Sequence, residues 1–436
     1  MRDFPNSGTM AHLITARPAV QALRSSKIRE VANAGMGGKD LLAFWFGEPD
    51  EVTPDFILQA GIEALQRGET FYTQNFGVPE LREAIASYLT CLHGTQFALP
   101  DASTRSGSQT PPSPSGTRAG DEGRHLITDS SLHFAISPDN IAVTNSGMSA
   151  LMLTTQALIS PGDRVVVITP VWPNLVEIPK ILGAQVETFP LTFSPQGWAL
   201  DLERLLATLT PDTRAVYLNS PNNPTGWTIT RDQQIAILAH CRRHGIWIPA
   251  DDAYERLYYA DAVAPSFLDI CNEQDRLVST NTFSKSWLMT GWRLGWIVAP
   301  RELMPALGTL IEYNTSCAPG FVQRAGIAAI EQGDPVIART QQRFRKARDF
   351  LCTQLRTIPG VEVSVPSGAM YAFFKMPRVT DSLAFCKGLV AETGLGLAPG
   401  IAFGPEGEGF VRWCFASNED RLAQGIERLR RYIGHR

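Results

Sequence analysis

A chain of 436 residues that is 44% hydrophobic, 19% charged and 9% aromatic has ample material for a buried core and, at roughly 100–200 residues per domain, for two or three domains. Its formal charge of -4 lacks the basic surplus that a nucleic-acid partner needs. Seven cysteines without CxxC spacing predict free thiols in a reducing, cytoplasmic setting, and seven histidines without HExxH or a similar ligand pair predict no metal.

The N-terminal MRDFPNSGTMAHLITARPAV is broken by charge, glycine and proline before an apolar stretch of signal length can form, which argues against secretion. Residues 1–52 are expected to form an arm and part of a smaller domain. Helices are predicted over 53–68, with a threonine cap and a proline in the first turn, and over 79–94, which opens on proline. The stretch DASTRSGSQTPPSPSGTRAGDEGRH at 101–125 is almost free of apolar residues. It cannot bury enough surface to offset its ordering entropy, so a mobile insert is expected over about 95–132.

The charge-free run at 141–162 contains Thr144, Asn145, Ser146 and Ser149 and closes on Pro161-Gly162-Asp163. It reads as a buried helix rather than a membrane span, and no membrane association is expected. Strands follow at 164–169, 185–189, 214–219, 245–250, 277–283 and 294–299, several of them continuous apolar runs, with helices at 173–182, 201–209 and 230–244 between them. Repeated βα units predict an α/β fold, a mainly parallel sheet with helices on both faces, over a large domain at 53–334. Residues 335–357 read as a long polar helix, 361–366 and 369–376 as strands, and 418–433 as a closing helix. These make a smaller α+β domain at 335–436.

In an open parallel sheet, ligands bind beyond the carboxyl ends of the strands. The residues falling there are Trp172, Asn223, Asp251, Tyr254 and Lys285. Each alone has an ordinary explanation as core filler, turn former, helix cap or packing. Together, at successive strand ends, they match the needs of pyridoxal 5'-phosphate: an amine for its aldehyde (Lys285) and a carboxylate for its ring nitrogen (Asp251). Tyr254 and Asn223 can hydrogen-bond the ring oxygen, and Trp172 can stack on the ring face. The turn Ser146-Gly147-Met148 opens a helix whose amides suit a phosphate, with Arg293 and a hydroxyl from Thr282 or Ser284 completing the anion site.

The motifs GEPD (47–50), YTQNFGVPELREAI (72–85), NSGMSAL (145–151), TPVWPN (169–174), NSPNNPTG (219–226), DDAY (251–254), TFSKSWLMTGWRLG (282–295) and RWCFASNEDRL (412–422) resemble, in order and spacing, the fold type I, class I/II aminotransferases, the aspartate aminotransferase-like family. The likeness covers nearly the whole chain outside the 95–132 insert. It implies the cofactor roles above, with Lys285, Asp251 and Tyr254 as catalytic residues. It further implies that Tyr72 reaches the phosphate in a neighbouring subunit, so that a homodimer shares its active sites. Arg412 would fork onto a substrate carboxylate, with Gly47 and Asn223 beside it, and the Asn223–Pro224 peptide would be cis. The implied activity is transfer of an amino group from an L-amino acid to a 2-oxo acid by a ping-pong course.

Many bacterial aspartate-specific members of that family carry lysine where this chain has Met148, and the animal-type arginine is missing from 304–323. A pocket built from Trp45, Phe46, Met148 and Met370 would favour neutral, apolar or aromatic substrates, unless a cation such as Lys39 moves in. A β-eliminating lyase on the same scaffold would share Lys285, Asp251 and Arg412. A nicotinamide dehydrogenase is not expected, because NSGMSA at 145–150 is not GxGxxG and is not predicted to follow a buried strand.

Overall fold

The computed structural model describes residues 15–23, 25–38, 40–93 and 136–434, so the expected insert and Lys39 lie outside the described residues. Seven strands form the central sheet: β1 (Ile141–Thr144), β2 (Arg164–Thr169), β3 (Gln185–Pro190), β4 (Thr213–Asn219), β5 (Ile248–Asp251), β6 (Leu277–Thr282) and β7 (Gly295–Val298). Their spatial order is β1-β7-β6-β5-β4-β2-β3. Only β7 runs against its neighbours, pairing antiparallel with β6 and β1. The remaining pairs are parallel.

Alternate side chains explain why this sheet is buried on both sides. Val166, Ile168, Val216, Leu218 and Ile248 enter one hydrophobic cluster, while Val165, Val167, Ala215, Tyr217 and Val278 enter another. Successive strand residues point to opposite faces, so runs such as VVVI must find cover twice. Helices supply it: Gly147–Leu158, Asn174–Ile181 and Met304–Glu312 on one face, and Arg231–His244, Asp55–Gln66 and Pro79–His93 on the other. Each fully buried Val or Ile contributes about 1.5–3 kcal/mol.

Two readings of the sequence need correction. The run at 141–162 is not one helix: Ile141–Thr144 is a fully buried strand, and the helix begins only at Gly147. Ser146, at φ 117°, lies in the left-handed region and separates the two. NSGMSA therefore does follow a buried strand, and the dehydrogenase reading fails on its missing glycine pattern alone. The β-branched Ile141, Val143 and Thr144 carried the strand signal, which the long uncharged run obscured.

A second, four-stranded antiparallel sheet contains β8 (Glu362–Val363), β9 (Tyr371–Lys375), β10 (Ala398–Pro399) and β11 (Phe410–Cys414), in the order β8-β9-β11-β10. Helices Asp334–Arg356, Ser382–Thr393 and Glu419–Gly434 accompany it. Leu42–Ala43 pairs in parallel with Leu395–Gly396, bringing the N-terminal segment to this part of the chain. A hairpin absent from the sequence reading, Thr192–Ser194 with Gly197–Ala199, carries Phe193 and Trp198. Their rings meet Phe410 and Phe373 of the second sheet at 5.1–5.7 Å. The cavity described next lies between the two sheets.

Candidate active site

The expected strand-end residues meet in one cavity of about 260 Å³, lined by Lys285, Asp251, Tyr254, Asn223, Trp172 and Arg412 together with Gly47, Gly147, Met148, Thr282, Ser284 and Arg293. Asp251 ends β5, opposite Asn219 of β4 and Thr280 of β6. Its Oδ1 accepts from the Ala253 amide at 3.2 Å, which fixes the carboxylate at the mouth of the strand. Asn219 Nδ2 donates to the Asp251 carbonyl at 3.0 Å, and Asn219 Oδ1 accepts from the Asn223 amide at 2.8 Å. One buried amide thus ties the Asn223 loop to Asp251. The Asn223–Pro224 peptide is cis, and the Asn223 carbonyl accepts from the Trp172 amide at 2.7 Å.

Lys285 lies in the turn following β6. Its Nζ donates to the Gly47 carbonyl at 2.6 Å. Glycine is required at 47, because a Cβ there would collide with the Tyr371 hydroxyl. Tyr371 and Tyr254 place their hydroxyl oxygens 2.7 Å apart. Arg412, in β11, is 2% exposed. Its Nη1 donates to Asn223 Oδ1 at 2.9 Å, its Nη2 donates to the Trp45 carbonyl, and its guanidinium lies 4.4 Å from the Tyr371 ring centre and 4.8 Å from that of Phe403. Aromatic faces and two acceptors hold the fork before any substrate arrives.

Ser146 is buried and does not itself line the cavity; it caps the helix Gly147–Leu158, whose first residues Gly147 and Met148 do, and its Oγ accepts from the Ser149 amide at 3.2 Å. The first amides of a helix have no partners within it, so this end presents donors and the positive pole of the dipole. The turn packs closely on the neighbouring strands. A Cβ on Gly147 would stand 3.1 Å from Thr282 Cβ, and one on Gly295 would stand 2.6 Å from the Gly147 nitrogen. Thr282 Oγ1 lies 2.9 Å from Ser284 Oγ. Arg293, at φ 54°, is exposed, and its Nη1 donates to the Thr290 carbonyl at 2.7 Å.

Burial sets the charges. It pulls the Lys285 amine down to about 8, with the Arg412 and Arg293 guanidiniums also lowering it, so a substantial neutral fraction exists near physiological pH. Burial raises the Asp251 carboxyl to about 6, against the pull of the Ala253 amide and the Lys285 charge. Burial also drives the Tyr254 hydroxyl well above its ordinary range, with Tyr371 next in effect, so this phenol is a donor and not an anion.

Several expectations are placed elsewhere. Trp45 does not line the cavity: its ring is buried against Gly35 and Gly396, and only its carbonyl reaches Arg412. Met370 is fully buried in the core, while its neighbour Tyr371 faces the cavity. Tyr72 is 90% exposed and lies outside the cavity of its own chain. Sequence reasoning missed Asn219, Tyr371 and Ile28, all of which line the cavity. Asn219 stood in plain view as the last residue of a predicted strand, whereas nothing marked Ile28.

This donor set fits pyridoxal phosphate. An amine, a buried carboxylate, a phenol and an amide line one space with Trp172, and a helix N-terminus, two hydroxyls and an arginine line it as well. Among the described residues no group of His, Cys, Asp and Glu is arranged to hold a metal.

Comparison with known proteins gives a consistent result. Residues 120–429 match the family model described as aminotransferase class I and II. An aspartate aminotransferase of Thermotoga maritima is 31% identical, over 92% of this chain and 93% of its own. A probable aspartate/prephenate aminotransferase of Aquifex aeolicus is 29% identical over 98% of each. The solved structure of aspartate aminotransferase from Thermus thermophilus with maleate superimposes with a TM-score of 0.81 at 27% identity, covering 96% of this chain and 99% of that one.

Proposed function

This chain belongs to the aminotransferase class I and II family and is a pyridoxal-phosphate-dependent aminotransferase, and we propose that it moves the amino group of neutral, apolar or aromatic L-amino acids to a 2-oxo acid by ping-pong kinetics. The observation that carries this reading is the meeting of Lys285, Asp251 and Arg412 in a single cavity whose apolar lining includes Ile28, Phe46 and Met148.

When bound, the cofactor supplies an aldehyde carbon that captures the substrate's amino group and a ring that accepts the electron pair left at the α-carbon. In our reading Asp251 holds the proton on the ring nitrogen. Trp172 covers one ring face, and Asn223 and Tyr254 donate to the ring oxygen. The Ser146-Gly147-Met148 turn, Thr282, Ser284 and Arg293 hold the phosphate, with Tyr72 contributed by a partner subunit. Arg412 grips the α-carboxylate in a two-pronged bond beside Gly47 and Asn223, which fixes the α-hydrogen toward Lys285. Lys285 Nζ takes that proton from the α-carbon and holds it as an ammonium, ready to give it back. We assign residues 53–334 to a large cofactor-binding domain, and 335–436 with the N-terminal arm to a small one.

The apolar wall supports the substrate preference. Met148 takes an Asn174 Nδ2 contact at 2.9 Å through its sulfur and offers no charge to a distal carboxylate. Arg29, exposed and 5.7 Å over the Phe46 ring, is a cation beside that wall and the group an aspartate-preferring enzyme would use. With 2-oxoglutarate and pyruvate as acceptors, phenylalanine, methionine and alanine are expected to exceed aspartate in kcat/KM. Met148→Lys should raise aspartate relative to phenylalanine by about 10- to 100-fold, the worth of one charged hydrogen bond. Aspartate leading in the unaltered enzyme would refute the preference.

Exposed aromatic residues support a homodimer. Phe71, Tyr72 and Tyr313 are 84–90% exposed, more apolar surface than isolated side chains need explain. Light scattering should therefore give twice the chain mass of 47.8 kDa. A monomer that is fully active would contradict the sharing of Tyr72. The seven cysteines are free, which supports a reducing, cytoplasmic setting. Among the described residues, no helix is long and apolar enough to cross a membrane.

A further inference from the structure

The turn that carries Asp251 and Tyr254 has a second face. Asp251 and Tyr254 look into the cavity, whereas Asp252 and Glu255, 5% and 3% exposed, do not line it. Asp252 Oδ2 accepts from Ser279 Oγ at 2.6 Å, and Glu255 Oε1 accepts from Asn281 Nδ2 at 2.7 Å. Asn281 Oδ1 in turn accepts from the Thr282 amide at 2.7 Å. One carboxylate, Glu255, is therefore tied to both strand ends that build the site: its own turn and, through Asn281, the Thr282-to-Lys285 turn.

Burying such carboxylates is costly unless a cation lies close. The cation here comes from a distant part of the chain. His93, at the end of the helix Pro79–His93, has a side chain with no exposure; its Nδ1 lies 2.8 Å from Asp269 Oδ1 and its Nε2 lies 3.4 Å from Glu255 Oε2. Arg231 pairs with the other oxygen of Asp269. The Nδ1 contact is a hydrogen bond, whereas Nε2 and Glu255 Oε2 have no hydrogen-bond partner among the described residues and meet as an ion pair. A neutral imidazole carries one N–H and would face one of the two carboxylates with a lone pair; only the imidazolium presents an N–H and a positive charge to both.

We propose that His93 is a positioning residue for the active site, a buried imidazolium that neutralises Glu255 and, through the hydrogen bonds of Glu255, holds the Asp251–Tyr254 turn and the Thr282–Lys285 turn in register. Burial alone would drive the ring toward neutrality, but Asp269 and Glu255 overcome it and hold its pKa at about 10. Asp252, raised to about 7 by burial and then by Glu255, also feels the ring's charge. The groups facing His93 are thus Glu255, Asp252 and Asp269, the last shared with Arg231.

The inference rests on the cofactor roles read for Asp251 and Tyr254, but its first test does not. Thermal midpoints of the cofactor-free enzyme and of His93→Gln are compared from pH 6 to pH 10. The folded-state pKa is raised above the unfolded value near 6.5, so the stability due to His93 is fully present below that pH and is lost as pH rises toward about 10. The gap between the two proteins should therefore narrow steadily across that window. A gap that stays constant with pH would overturn the proposal, leaving His93 a packing residue.

The second arm tests charge balance. His93→Gln should weaken cofactor retention about tenfold, and adding Glu255→Gln should recover at least half of that loss, because an uncharged pair needs no cation. A double variant no better than the single one, or His93→Gln retaining cofactor like the parent, would overturn the role. Should His93→Gln fail to fold, the double variant is expected to fold, and its failure as well would count against the proposal. The cofactor reading fails separately: Asp251→Ala and Tyr254→Phe retaining cofactor like the parent would indict the roles assigned to those residues while leaving the pH result for His93 standing.

Discussion

Lys285→Ala is expected to lose at least about 10⁴-fold in kcat, the upper range for a positioned proton-transfer group, while the protein remains folded. Its amine lies in the cavity within 2.6 Å of the Gly47 carbonyl, and nothing else among the cavity's lining residues is an amine. The substitution removes both the group that condenses with the aldehyde and the one that moves the α-proton. The fold has little reason to suffer. Burial lowers the amine to about 8, so a charge held uncomfortably in the interior is deleted rather than a stabilising one. Single-turnover rates with phenylalanine, read beside the circular dichroism of the variant, check both halves of this expectation. A variant with kcat within tenfold of the parent would remove Lys285 from the reaction.

Asp251→Ala should follow at roughly 10²- to 4 × 10³-fold in kcat, with cofactor retention weakened as well. The estimate takes the roughly 3–5 kcal/mol lost when one partner of a buried charged pair is removed, at about 1.4 kcal/mol per factor of ten. In the cofactor-free protein the carboxyl titrates near 6, because burial outweighs the Ala253 amide and the Lys285 charge. A cationic ring nitrogen beside it would bring that value down and keep it ionised through the working range. Cofactor affinity of the parent should accordingly fall as pH drops below about 6, when the free carboxyl becomes protonated, and this fall should be absent from Asp251→Ala. Equilibrium titration of cofactor into both proteins between pH 5 and pH 8 measures the difference.

The parts of the site that strands deliver were legible in the sequence. Asp251, Asn223, Trp172 and Lys285 follow apolar runs directly, and in a parallel sheet the ends of such runs meet at one edge. What escaped depended on local turns and on distance along the chain. Trp45 and Phe46 lie in a bend, and Met370 and Tyr371 lie where a turn meets β9; in each adjacent pair one residue faces the cavity and the other turns away. Sequence cannot say which, and the expected Trp45 and Met370 proved to be the ones turned away. Ile28 reaches the cavity from the helix Lys27–Gly35, and His93 reaches Glu255 across 162 positions; neither carries a local signal. The break between strand and helix at Ser146 was likewise hidden, because a serine at positive φ looks in sequence like any other serine. Across the rest of the fold, the central sheet emerged nearly strand for strand, since continuous Val and Ile runs have few other destinations. The Thr192–Ala199 hairpin did not, being two strands of three residues each.

Reduction of the cofactor-loaded enzyme with borohydride, followed by peptide mass mapping, addresses the central assignment most directly. The account predicts that the peptide containing Lys285, and no other lysine peptide, gains the mass of the reduced cofactor in stoichiometric yield. Label on a different lysine, or an unlabelled protein that still turns over amino acids, would contradict it.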